Sequence, residues 1–112
     1  MNQLERIEEI IAAYGRHEWR LKSVLLRPET RAELKEAEAG LFEDAVAVRE
    51  ASFDALWFSR PSHAGREAWE LRLASETPYA LFETFEADEV EEDREEVRRE
   101  MEARMAEHQA RS

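Results

Sequence analysis

The sequence predicts an α+β fold: a four-stranded, mainly antiparallel sheet in the element order α-β-α-β-β-β-α, with the N- and C-terminal helices packed on the sheet. Three observations carry this expectation. Residues 68–74 alternate with period two, so Trp69, Leu71 and Leu73 share one face while Glu70 and Arg72 share the other. Two loops rich in turn residues, 61–65 and 75–78, divide residues 53–87 into three apolar segments, the pattern of an antiparallel meander. Before and after this region the apolar residues recur at helical spacing.

The first helix is predicted over residues 3–14. Asn2 can cap it, Leu4, Ile7, Ile10, Ile11 and Tyr14 form its apolar stripe, and Gly15 is a natural stop. Residues 18–27 read as a strand in which Trp19, Leu21, Ser23 and Leu25 alternate with Arg20, Lys22, Val24 and Leu26. Its inner end is apolar on both faces, as in a strand covered on each side. Thr30 and Glu33 are spaced as a capping box, which predicts a short helix running to about Ala39 and ended by Gly40. Such a helix permits a parallel crossover but is short for one, so the direction of the first strand stays open.

Residues 45–52 are ambiguous between strand and loop, with a bulge or break expected near 51–54. Residues 55–60 and 79–86 read as firmer strands. The last helix opens near Asp88, a candidate cap with Glu91 in the reciprocal position. Its acidic start and its later Arg98, Arg99 and Arg104 suit the helix dipole, and Glu95–Arg99 and Glu100–Arg104 are spaced as i,i+4 ion pairs. A single α+β domain is expected over residues 1–107, with 108–112 as a frayed tail.

A chain of 112 residues forms one domain with a real core. The absence of cysteine excludes disulfides and thiolate metal sites and fits a cytoplasmic location. No leader or membrane-spanning pattern is expected, because the N-terminal segment reads as a charged helix and no apolar run is long enough. A net charge of −11 argues against nucleic acid and anionic membranes as partners.

Few residues converge on a chemistry. The loop holding Arg60, Ser62, His63 and Arg66 could grip a small anion, although Pro, Ser and Gly there also serve simply to bend the chain. Trp57 and Trp69 could line an apolar site beneath that loop, and as strand residues they serve equally as core. Glu83 shares a strand face with Tyr79, Leu81 and Phe85; facing inward it would be a desolvated carboxylate, and the favoured alternative is that the other face, Ala80, Phe82 and Thr84, is buried too and Glu83 lies near a sheet edge. The acids Glu86, Asp88, Glu89, Glu91, Glu92, Asp93, Glu95 and Glu96 spread around a helix and do not converge as metal ligands. His17, His63 and His108 show no metal-site spacing, so no metal and no cofactor is expected.

Val90, Val97, Met101 and Met105 form a thin stripe that could pair two copies of the last helix or pack on the protein's own sheet. No nucleophile motif is present, which leans against an enzyme. The leading expectation is a non-enzymatic interaction module that homodimerises or binds another protein. The alternatives are a small-molecule or anion binder, or an enzyme, with a pocket near residues 60–66, and an acidic immunity-type or decoy partner of a basic protein.

Overall fold

The structure, a computed structural model, describes residues 1–42 and 46–111. Its elements are α1 (Gln3–Gly15), β1 (Arg20–Leu26), α2 (Pro28–Leu34), α3 (Glu38–Leu41), β2 (Ala47–Glu50), β3 (Ala55–Pro61), β4 (Glu67–Leu73), β5 (Tyr79–Phe85) and α4 (Glu91–Ala110). The fold is α+β. The sheet has five strands in the order β2-β1-β3-β4-β5, one more than the sequence predicts. The added strand is β2, which pairs parallel to β1, so the sheet is mixed. Four residues with one apolar side chain turned to the core give too short a pattern to read from sequence. The expected break at 51–54 separates β2 from β3. Ala45, the first residue of the ambiguous segment, lies outside the described residues.

Two apolar layers sandwich the sheet. On one face Ile7 and Ile10 of α1, with Leu34 of α2, pack on Val24, Leu26, Leu56 and Phe58. On the other, Met101 and Met105 of α4 pack on Leu25, Ala55, Trp57, Leu71 and Leu73. The alternation predicted for β4 is therefore real, and its indole and leucines lie beneath α4.

β1 does not keep the single phase that its sequence suggests. Leu21 pairs with Phe58 but Ser23 pairs with Trp57, which leaves Lys22 as an extra residue in a β-bulge. The bulge resets the phase. Leu21 before it and Val24 and Leu26 after it all join the α1 layer, while Leu25 joins the α4 layer.

Four helix boundaries differ from their sequence expectations. Gly15 remains inside α1; the chain turns at Glu18, which takes the left-handed conformation (φ 67°), and the Trp19 amide donates to the Tyr14 carbonyl at 3.1 Å. Thr30 is not a cap. Pro28 opens α2, its fixed φ suiting the first helical position, and the Thr30 hydroxyl instead donates to Asp54 at 2.6 Å. The expected single helix to Ala39 is two short ones, with Gly40 inside α3. Val90, not Asp88, caps α4 without a side-chain bond; the Glu89 carboxylate accepts the Glu86 amide at 2.8 Å, and Arg94 donates to the Glu86 and Glu89 carbonyls at 2.7 and 3.0 Å.

α4 extends to Ala110, and near its end the His108 ring stacks on Tyr79 with centroids 3.5 Å apart. The pairs Glu95–Arg99 and Glu100–Arg104 are not among the ion pairs of the described residues. Arg98 reaches Glu91 instead, and Glu107–Arg111 is the i,i+4 pair that forms.

Behind β3 lies a buried polar hub. Asp54, only 4 % exposed, accepts the Arg27 amide at 2.8 Å, the Thr30 hydroxyl at 2.6 Å and the Gln3 amide at 2.8 Å. It ties α1, the start of α2 and the start of β3 together through a single carboxylate. Among the described residues no helix is long and apolar enough to cross a membrane.

Candidate functional site

The seven residues that the sequence offered as a ligand site are not gathered into one pocket. Arg60 lies on the α1 face, the face opposite Trp57 and Trp69; its Nη1 donates to the His17 carbonyl at 2.7 Å and its guanidinium covers the Trp19 ring at 4.5 Å. Arg66 pairs with Glu86 at 2.9 Å. Ser62 and His63 are exposed in the β3–β4 loop, where Ala64 and Gly65 take left-handed conformations (φ 55° and 75°) that make the turn. A Cβ on Gly65 would come within 3.2 Å of the Ala87 Cβ, so a larger residue there meets both strain and crowding. Glu83 is exposed on β5, the edge strand, as in its sheet-edge reading.

Trp57 and Trp69 do come together, edge to face with centroids 5.9 Å apart, but beneath α4 and within the core. The Trp57 indole donates to Glu102 at 2.8 Å, and Arg49 pairs with the same carboxylate at 2.7 Å. The Trp69 indole donates to Glu67 at 2.9 Å, with the Arg98 guanidinium 4.4 Å over its ring. A polar cleft of about 320 Å³ opens here between Arg49, Glu95, Arg98, Arg99 and Glu102. Among the candidate interface residues, Met101 and Met105 are 2 % and 0 % exposed and Val97 packs against the same layer, so this stripe covers the protein's own sheet. Only Val90 of the four is exposed.

The α1 side of the sheet leaves a different surface open. α1 and α2 cover β1 and β3 there, and the corresponding face of β5 is largely bare. Phe82 is 56 % exposed, Ala80 is exposed and Thr84 is half-buried. Phe58, Glu70 and Phe82 form one row across β3, β4 and β5. Tyr14 stacks on Phe58 with centroids 4.2 Å apart and its hydroxyl donates to Glu70. Trp19 lies against Phe82 edge to face, with centroids 6.3 Å apart. The row thus ends at the β5 edge in an exposed aromatic ring.

Burial first, and then the hydrogen bond to Glu70, push the Tyr14 hydroxyl well above the usual phenol range. A group whose folded pKa is raised contributes stability that is full below its unfolded value, about 10 for tyrosine, and is lost as pH climbs toward the folded value. Alkaline titration followed by tyrosinate absorbance should therefore show Tyr14 ionising only with unfolding, and stability should fall above about pH 10. Tyr14→Phe should flatten that fall. An unchanged alkaline slope in Tyr14→Phe would remove the assignment.

A second cavity, of about 460 Å³, lies between α1, α3 and the sheet and is walled by Ile11, Trp19, Leu21, Leu41, Val46 and Phe58 among others. Neither of these surfaces was found from sequence. The Tyr14–Glu70 contact joins residues 56 apart in the chain, and the face of Ala80, Phe82 and Thr84, expected to be buried, is instead largely open because α1 and α2 stop short of β5. Compared with protein-family models, curated proteins and solved structures, the chain gives no significant match.

Proposed function

We propose that this protein is a non-enzymatic interaction module that homodimerises by pairing the β5 edges of two copies. The observation that carries this reading is the β5 edge, seven residues long with Phe82 exposed beside it, where the Thr84 amide is covered only by the Glu83 carboxylate of its own strand at 3.0 Å. Natural edge strands are blunted by shortness, proline, lysine or bulges. The opposite edge, β2, is short and half charged, with Arg49 and Glu50 among its four residues. β5 is longer, regularly paired to β4 throughout, and carries one charge, Glu83.

Its sequence also suits a twofold axis at Phe82. Antiparallel pairing about that residue sets Phe82 against its own copy, Leu81 against Glu83, Ala80 against Thr84 and Tyr79 against Phe85. Centring on Glu83 would oppose two carboxylates, which disfavours that register. A ten-stranded continuous sheet would result, and the exposed aromatic ring would lie against its twin.

Sedimentation should give twice the chain mass at micromolar concentration. Each copy carries a charge of −11, so added salt should strengthen the dimer by screening repulsion. Phe82→Glu should give a folded monomer, because the ring it removes is already more than half exposed. A monomeric wild-type protein, or a Phe82→Glu variant as dimeric as wild type, would remove this reading. The second reading, a small-molecule binder, is supported by the apolar walls of the 460 Å³ cavity, and it moves the pocket from the 60–66 loop to the space beside Phe58.

A further inference from the structure

We infer that the small cavity between the end of α1 and β4 is a binding site for an alkylated ammonium group. It has a volume of about 170 Å³ and is walled by Ala13, Tyr14, His17, Trp19 and Glu70. That is well below the roughly 300–1,000 Å³ that a drug-sized ligand fills, so it suits a headgroup and not a whole nucleotide.

Three features set the chemistry. First, Tyr14 and Trp19 meet at a tilt of 59° with centroids 6.0 Å apart, forming an aromatic corner. Ring faces attract cations, and soft, weakly hydrated ammonium groups gain most from them. Second, Glu70 supplies a carboxylate in the wall. One of its oxygens accepts the Tyr14 hydroxyl, which orients the group, and the other takes no hydrogen bond from a described residue. Third, the protein's own cations leave the cavity open. Arg60 lies over Trp19 and bonds the His17 carbonyl, and Arg72 lies near the Tyr14 hydroxyl while donating to the Leu73 carbonyl, but neither walls the cavity. His17 also walls the cavity. The chain's charge of −11 raises the local concentration of any cation.

The turn after α1 builds this site. The left-handed Glu18 reverses the chain so that Tyr14, His17 and Trp19 come from a single stretch of six residues. Choline is the probe, read by the Trp19 indole and backbone amide signals in NMR. A saturable shift centred on residues 13–19 and Glu70 is expected. The neutral isostere, with carbon in place of the quaternary nitrogen, should bind about tenfold more weakly or worse.

Glu70→Gln keeps an acceptor for Tyr14 and should weaken choline about tenfold with the fold intact. A peptide bearing trimethyllysine that binds tighter than choline would place the cation on a protein partner, and the reverse order would place it on a free small molecule. Non-saturating shifts, equal binding of the neutral isostere, or full affinity in Glu70→Gln would each overturn the site. Phe82 touches Trp19 of the cavity wall, so the site is separated from the dimer by repeating the wild-type titration over a range of protein concentration: an unchanged choline affinity is expected, and an affinity that follows dimerisation would overturn a site built within one copy.

Discussion

Asp54→Ala should destabilise the fold by about 2–4 kcal/mol, since it leaves one buried and two part-buried donors without this acceptor at up to about 1–3 kcal/mol each before relaxation. The donors are the Arg27 amide, the Thr30 hydroxyl and the Gln3 side-chain amide, and Thr30 is only 1 % exposed. The Arg27 guanidinium adds little, because it sits 3.3 Å away with its side chain 48 % exposed. Asp54→Asn should cost less, as one oxygen still accepts the Arg27 amide. Urea unfolding is the measurement: the midpoint should fall with the slope unchanged. A loss below about 1 kcal/mol for Asp54→Ala would mean that the hub does not hold the two helices to the sheet.

Met105→Ala should cost about 2–4 kcal/mol through lost burial and the cavity left behind. The residue is 0 % exposed and, with Met101, is among the few large apolar groups that α4 presses onto Trp57 and Leu71. The helix is otherwise highly polar, so its attachment to the sheet rests on these contacts and on Arg49–Glu102–Trp57 and Arg94–Glu67. The experiment also decides whose core the methionines fill. In the monomeric Phe82→Glu background the loss should be the same at low and high protein concentration. A loss that shrinks with dilution would make these side chains an intermolecular seam.

What was legible in the sequence depended on whether one pattern spoke at a time. β4 was legible because Glu70 and Arg72 mark one face and Trp69, Leu71 and Leu73 the other. α1 was legible for the same reason at a different period. β1 was not, because apolar residues on both faces hide a phase change. Thr30 was misread because the cap motif is local, whereas Pro28 and a carboxylate 24 residues away decide what the hydroxyl does. Asp54 itself looks like any turn acid in an acidic chain.

The candidate site was less legible than the fold. Arg60 and Trp57 are close in sequence, but they differ in register by an odd number and so face opposite ways. The surfaces that emerged instead join residues from α1, β4 and β5, and no spacing rule connects them.

The extra residue at Lys22 has a consequence for how this chain tolerates change. Its side chain is exposed and its identity is therefore nearly free, while its presence is not. Removing it would rotate every residue from Glu18 to Leu21 by half a turn relative to the rest of the strand. Leu21 would then be carried away from the α1 layer, and Arg20 would be carried into it. The position can drift in kind but not in number, so insertions and deletions here are far more damaging than any replacement.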